Sequence, residues 1–121
     1  MGTFFVEAVL AAPDRPDRRQ AVNLLVDSGS THTWVAAAVL RALSVVPTER
    51  RRGTIEGQVV ERDAAEILIT LERRTLHTVC LFGGAGELDV LGAYTLEGFG
   101  LGVDPVQRKL IPALQYGAAT V

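Results

Sequence analysis

The run Ala21-Val22-Asn23-Leu24-Leu25-Val26 ends in Asp27-Ser28-Gly29-Ser30, and this junction constrains the chain more than any other. A short apolar run of this kind reads as a strand. A carboxylate at the end of a buried strand is costly unless it is hydrogen-bonded, paired or used in chemistry. Gly29 permits a sharp turn and lets backbone N–H groups come close to the carboxylate. Ser28 and Ser30 add short hydroxyl donors. Taken alone, Asp-Ser-Gly-Ser is also an ordinary turn, because Asp and Ser bond their own backbone and Gly accepts a positive φ. The surrounding chain decides between the two.

A second copy of the local pattern lies downstream, without the terminal Asp. Leu88-Asp89-Val90-Leu91-Gly92 is again a short apolar strand ending in Gly, and Ala93 to Phe99 reads as a short helix. In the first half, Trp34 to Leu43 is the main helix candidate, rich in alanine with apolar residues at helical spacing. The chain therefore has two strand–loop–helix halves, of which only the first carries a catalytic-type residue. Asp89 precedes its Gly by three positions and is not expected to act as a second catalytic carboxylate.

The remaining segments read as strands and turns. Thr3 to Ala11 and Arg19 to Val26 are strands separated by the turn cluster Pro13-Asp14-Arg15-Pro16-Asp17. Gly53 to Val60 is a β-hairpin tip with Gly57 at its turn. Ala65 to Leu71 and Thr75 to Phe82 are strands joined at Glu72-Arg73-Arg74, and Gly83-Gly84-Ala85-Gly86 is a plain loop. A short hairpin ends the pattern. Many short strands with few helices predict a mostly β fold, largely antiparallel, closed into a small barrel with one main and one short helix.

At Leu25-Val26-Asp27-Ser28-Gly29-Ser30 and Val90-Leu91-Gly92 the chain resembles the single-domain, retropepsin-like aspartic proteases, retroviral members and their small prokaryotic relatives. Leu101-Gly102-Val103-Asp104-Pro105 and Lys109-Leu110-Ile111-Pro112 resemble the terminal strands of the prokaryotic relatives. Ser28 and Ser30 stand where Thr and Ala are common in retroviral members. The resemblance spans residues 3 to 113, and 114–121 match nothing in it and read as a tail.

The resemblance implies an aspartic endopeptidase of the acid-protease barrel type. Its chemistry needs two carboxylates sharing one proton, because like charges side by side do not both ionise. With one Asp27 per chain, it implies a homodimer whose dyad forms across a two-fold axis. It implies that Ser28 hydrogen-bonds across that axis, that the Gly29 N–H reaches the carboxylate, and that Ser30 donates to the outer oxygen of Asp27. It makes the hairpin Ile55-Glu56-Gly57-Gln58 a flap over the substrate. Val90, Leu91 and Gly92 become the wall and support of the catalytic loop.

Composition narrows the partners. A chain of 121 residues with 48% hydrophobic content suits one globular domain, 1–121. A net charge of −2 implies no general attraction to nucleic acid or to an anionic membrane. Arg50-Arg51-Arg52 is flanked by Glu49 and Glu56 and reads as a solvated hairpin base. Two histidines, His32 and His77, give thin support for zinc or a Ser–His–Asp triad, so no metal or other cofactor is expected. The one cysteine, Cys80, lies in a strand-like run and reads as a buried, inert thiol. No signal peptide or membrane-length apolar run is present, which predicts a cytoplasmic protein. The expected substrate is a peptide or unfolded protein. A dimeric β-barrel that binds or assembles without efficient proteolysis is the alternative, since a fold does not fix an activity.

Overall fold

The computed structural model describes residues 3–113. The tail 114–121 and the Met1-Gly2 start lie outside the described residues. Nine strands and two short helices follow in the order β1 (Phe5–Ala12), β2 (Arg15–Val26), β3 (Thr33–Ala36), α1 (Ala37–Ala42), β4 (Glu49–Ile55), β5 (Gln58–Leu71), β6 (Arg74–Gly83), β7 (Val90–Leu91), α2 (Ala93–Phe99), β8 (Leu101–Asp104) and β9 (Lys109–Pro112). The first seven strands make one sheet, ordered β1-β2-β7-β3-β6-β5-β4, and β1 pairs a second time with β5. The terminal pair β8–β9 is a separate hairpin. Two pairings are parallel, β2 with β7 and β3 with β6, and the others are antiparallel.

Side-chain alternation explains the inner face. Ala65, Ile67, Ile69 and Leu71 of β5 are buried while Glu66 between them is exposed, and Ala8, Leu10 and Ala12 repeat the period on β1. These side chains meet Leu24, Val35, Cys80 and Leu91 in one core, closed by Leu40 from α1 and by Leu96 and Phe99 from α2. A second, smaller cluster of Trp34, Ala64 and Leu81 lies beneath the β4–β5 hairpin. Desolvation drives the Cys80 thiol well above its ordinary value, so it packs as a small apolar group.

Three sequence expectations change. The helix expected from Trp34 to Leu43 begins only at Ala37, because Trp34, Val35 and Ala36 belong to β3. That strand runs between β6 and β7 and is covered on both faces, with Thr33, Trp34 and Val35 all buried. A strand buried on both faces reads as an unbroken apolar run, and periodicity does not separate it from a buried helix. The turn cluster 13–17 shrinks to Pro13-Asp14, and β2 starts at Arg15. Pro16, which has no N–H to give the ladder, falls where the β1–β2 register slips between Leu10↔Gln20 and Ala12↔Arg15. The second arm of the expected hairpin tip Gly53–Val60 and the expected strand Ala65–Leu71 are one element, since β5 runs unbroken from Gln58 to Leu71.

The two halves of the chain lock together at one crossing. Leu25 and Val26 pair in parallel with Val90 and Leu91. The Leu25 N–H donates to the Asp89 carbonyl at 2.9 Å, and the Asp27 N–H donates to the Leu91 carbonyl at 3.1 Å. The next residue, Gly92, sits against the backbone of the first loop. A Cβ there would collide with the His32 carbonyl and lie 2.9 Å from the Ser30 carbonyl oxygen. The first N–H groups of α2 use that closeness, Ala93 donating to Ser30 O at 2.7 Å and Tyr94 to Thr31 O at 3.1 Å. Orphan donors of a helix start are thus satisfied by the carbonyls of the loop.

Gly92→Ala should therefore destabilise the protein by about 3 kcal/mol, since backbone and not a flexible side chain must move. Gly98→Ala, where the added methyl meets nothing within 4 Å, should be neutral or stabilising by up to about 1 kcal/mol. Urea unfolding of the two variants beside the wild type reads the difference; equal midpoints would refute the close crossing.

Candidate active site

Asp27 is the first residue past β2, and its side chain is exposed in the single chain. The Gly29 N–H donates to its Oδ1 at 2.9 Å, and the Ser30 N–H donates to its carbonyl at 3.1 Å. A Cβ on Gly29 would stand 3.2 Å from that same Oδ1, so a residue without one lets the N–H approach. The carboxylate is held by its own turn, with its backbone N–H already committed to β7.

Ser28 is exposed beside it, and its hydroxyl has no hydrogen-bond partner among the described residues. Ser30 departs from expectation. Its Oγ donates to the His32 carbonyl at 2.8 Å, not to the outer oxygen of Asp27. The carbonyl two residues on is the nearer acceptor once the loop folds back toward Gly92, a local bond typical of Ser.

A cavity of about 820 Å³ opens beside Asp27, reached by the first loop, by β4 and by the segment before β7. Ile55 and Glu56 of the β4–β5 hairpin line it, whereas Gly57 and Gln58 do not. The hairpin closes on Ile55↔Gln58, with φ of 51° at Glu56 and 80° at Gly57. Two successive positive φ values match the twist of the flanking strands. Val90 also lines the cavity, Leu91 is buried behind it, and Gly92 holds the loop from below. The structure thus brings Asp27, Gly29, Ser30, Ile55, Glu56 and Val90 to one cavity, with Leu91 and Gly92 as its support.

Several neighbours of the site carry no sequence signature. Thr33, fully buried, bonds Thr95 through their hydroxyls at 2.6 Å, and Thr95 bonds Thr78 at 2.7 Å. The Gly92 N–H donates to Thr33 Oγ1 at 3.0 Å. This chain of hydroxyls ties β3, α2, β6 and the crossing together, yet its members are scattered through the sequence. Only Thr33, directly before the apolar run that begins at Trp34, hints at a buried polar role. Asp89 is structural, because its Oδ1 accepts the Ala36 N–H at 2.9 Å, where β3 passes into α1.

Glu87 bridges a backbone N–H and a guanidinium. It accepts the Gly84 N–H at 2.6 Å and pairs with Arg62 of β5 at 2.7 Å, linking the hairpin arm to the loop before β7. The Gly84 N–H, with Arg62 beside it, holds the Glu87 carboxyl below the usual carboxylate range against the desolvation there. Arg50 pairs with Glu61 and Asp63 on one face of the hairpin, and Arg51 with Glu49 on the other. Those exposed pairs add little to stability.

His32 borders the cavity and meets Tyr94 edge to face, ring centroids 5.5 Å apart. Its Nδ1 is buried with no partner among the described residues. Burial pushes the imidazole below its ordinary value, nearby Arg51 adds to that, and Glu49 opposes it. The other histidine, His77, pairs with Glu66 on an exposed strand face. Among the described residues no group of three or more His, Cys, Asp or Glu side chains is placed to hold a metal.

No protein-family model matches this chain, and no curated protein matches it by sequence. Among solved structures, the EIAV protease in complex with the inhibitor HBY-793 is similar, with a TM-score of 0.60 over 80% of this chain and 88% of that one, at 19% identity. The likeness establishes a retropepsin-like, mostly β fold.

The His32 environment sets a pH dependence. Its folded value lies below its unfolded one, so the unfolded state binds the extra proton in the window between them. Stability must then rise with pH through that window. The melting temperature should fall as pH drops from about 7 toward about 5. His32→Asn should flatten part of that slope. Parallel slopes in the variant and the wild type would refute the assignment.

Proposed function

We propose that this protein is a homodimeric aspartic endopeptidase, each subunit contributing one Asp27 to a shared dyad. The observation that carries the reading is Asp27 itself. Its carboxylate follows a strand whose end, Leu24 and Val26, is buried, is fixed by the Gly29 N–H at 2.9 Å, and stands open at the rim of a cavity bordered by a β-hairpin. The likeness of the fold to the EIAV protease supports it. Of the other carboxylates along the cavity, Glu87 is engaged by Gly84 and Arg62 and Glu56 sits on the hairpin turn; the reading takes its second carboxylate from a second copy of the chain.

In the dimer the strand pairings act as a small closed barrel, and Ser28 of each loop hydrogen-bonds across the axis. One Asp27 is ionised and takes a proton from a bound water, whose oxygen attacks the peptide carbonyl. The other is protonated and polarises that carbonyl. The hairpin from Ile55 to Gln58 is the flap that excludes water from the reaction. The substrate is an extended peptide or unfolded protein, met in the cytoplasm; among the described residues no helix is long and apolar enough to cross a membrane.

Hydrolysis of an unfolded protein at acidic pH is the direct test. Asp27→Asn should lower the rate by about a thousandfold or more while leaving the melting temperature near that of the wild type. Specific activity should fall on dilution as the dimer dissociates. Near-normal activity of Asp27→Asn, or a fully active monomer by sedimentation, would overturn the reading. A folded dimer with no turnover would favour a binding or assembly module on the same fold.

The flap makes a separate prediction. At φ 80°, Gly57 occupies backbone space that a β-branched residue enters only with strain. Gly57→Val should reduce turnover severalfold more than its loss of stability accounts for. Unchanged kinetics in the folded variant would argue that the tip does not close over substrate.

A further inference from the structure

We propose that Trp34 is the size filter of this cavity, restricting one substrate side chain to small residues such as Gly, Ala or Ser. The inference rests on the peptidase reading above and names the substrates that site accepts.

Trp34 is the one tryptophan of the chain. It lies in the middle of β3, opposite Val90 on β7 and Leu81 on β6, and only 7% of it is exposed. Its six-membered ring runs beneath β4. A Cβ built on Gly53 would overlap Trp34 Cζ2 and stand 2.7 Å from Cη2. The indole therefore fills the ground between β3 and β4, and the missing side chain at Gly53 is what makes room for it. Ala64 packs in the same cluster as a second small neighbour, and Ile55, Val60, Val79 and Val90 close around it.

Trp34, Gly53, Ile55 and Val90 all line the cavity that holds Asp27. The β4 strand pairs on one side only, with β5, so a ligand in extended form has a free strand edge to lie along. In an extended ligand, side chains point alternately to opposite faces. The one directed at β3 and β4 meets an aromatic floor in space already occupied. A glycine, alanine or serine fits above it; a leucine or phenylalanine needs the indole to move, and the indole is packed against Gly53, Ala64 and Leu81. A closely packed apolar wall discriminates by roughly tenfold to two hundredfold per methylene-sized change. In a two-fold dimer the filter is present twice, so the restriction falls at two positions placed on opposite sides of the cleaved bond.

The test digests a mixed library of unstructured peptides and reads the cleavage sites by mass spectrometry. The wild type should exclude Leu, Ile and Phe by about tenfold or more at two positions flanking the cleaved bond. Trp34→Val should admit them at those positions and leave the other positions unchanged. Trp34→Phe, a smaller loss of volume suited to a fold that does not tolerate valine, should shift the same two positions in the same direction. A folded, active variant with the wild-type profile would overturn the filter and leave the peptidase reading standing.

A binding measurement separates the two failures. In Asp27→Asn, emission from the single tryptophan should change saturably on titration with blocked peptides carrying Ala at the varied position, and at least about tenfold more peptide should be needed with Leu. That result without hydrolysis by the wild type would uphold the filter and overturn the peptidase. Neither hydrolysis nor a change in emission would overturn both.

Discussion

The structure depends on a backbone crossing, where the end of β2 meets β7 and the loop that follows Asp27 rests on Gly92. The parallel pair is only two residues long, so its strength cannot come from ladder length. It comes from what surrounds it. The N–H groups of Leu25 and Asp27 bond to β7 and its approach, the first N–H groups of α2 bond back to Ser30 and Thr31, and the Thr33 hydroxyl accepts from Gly92. Each donor would cost about 1–3 kcal/mol if buried unpaired. Removing the crossing would orphan several of them together. An exposed Asp27 carboxylate is held in one orientation because its backbone is bound on both sides.

The hydroxyl chain Thr78–Thr95–Thr33 extends that constraint into the core. Apolar side chains of similar size would fill the same volume, but they would not accept the Gly92 N–H. A buried polar chain fully satisfied in this way fixes one register where apolar packing alone tolerates several. It links the strand bearing the cavity wall, β3, to the helix that supports the loop after Asp27, α2. The geometry of the candidate site is thus transmitted through polar contacts inside an otherwise apolar core.

The hairpin over the cavity is held by a different balance. Partway along its arm, Trp34 and Gly53 form a large–small pair that anchors β4 by dispersion and burial. Farther along β5, the half-buried Arg62–Glu87 pair joins the arm to the loop before β7. The tip beyond Ile55 has neither kind of anchor, and its two turn residues are exposed. Anchored along its arm and lightly held at its tip, the hairpin has the contact distribution that the proposed flap would need.

The strand–Asp–Ser–Gly junction, the second strand–Gly–helix unit, the hairpin turning at Gly57, the terminal hairpin and the buried Cys80 are all legible in the amino-acid order alone. They depend on local physics: alternation, glycine's freedom at positive φ, and the cost of a carboxylate at a strand end. That Trp34 to Ala36 is strand emerges only in three dimensions, because burial on both faces erases the periodicity that would mark it. Folding likewise gave the Ser30 hydroxyl to the His32 carbonyl, joined three distant threonines, and set Gly53 over an indole nineteen residues earlier in the chain. Each of those outcomes depends on which segments are brought together in space. No local pattern encodes it, because the partners become neighbours only when β2 and β7 cross.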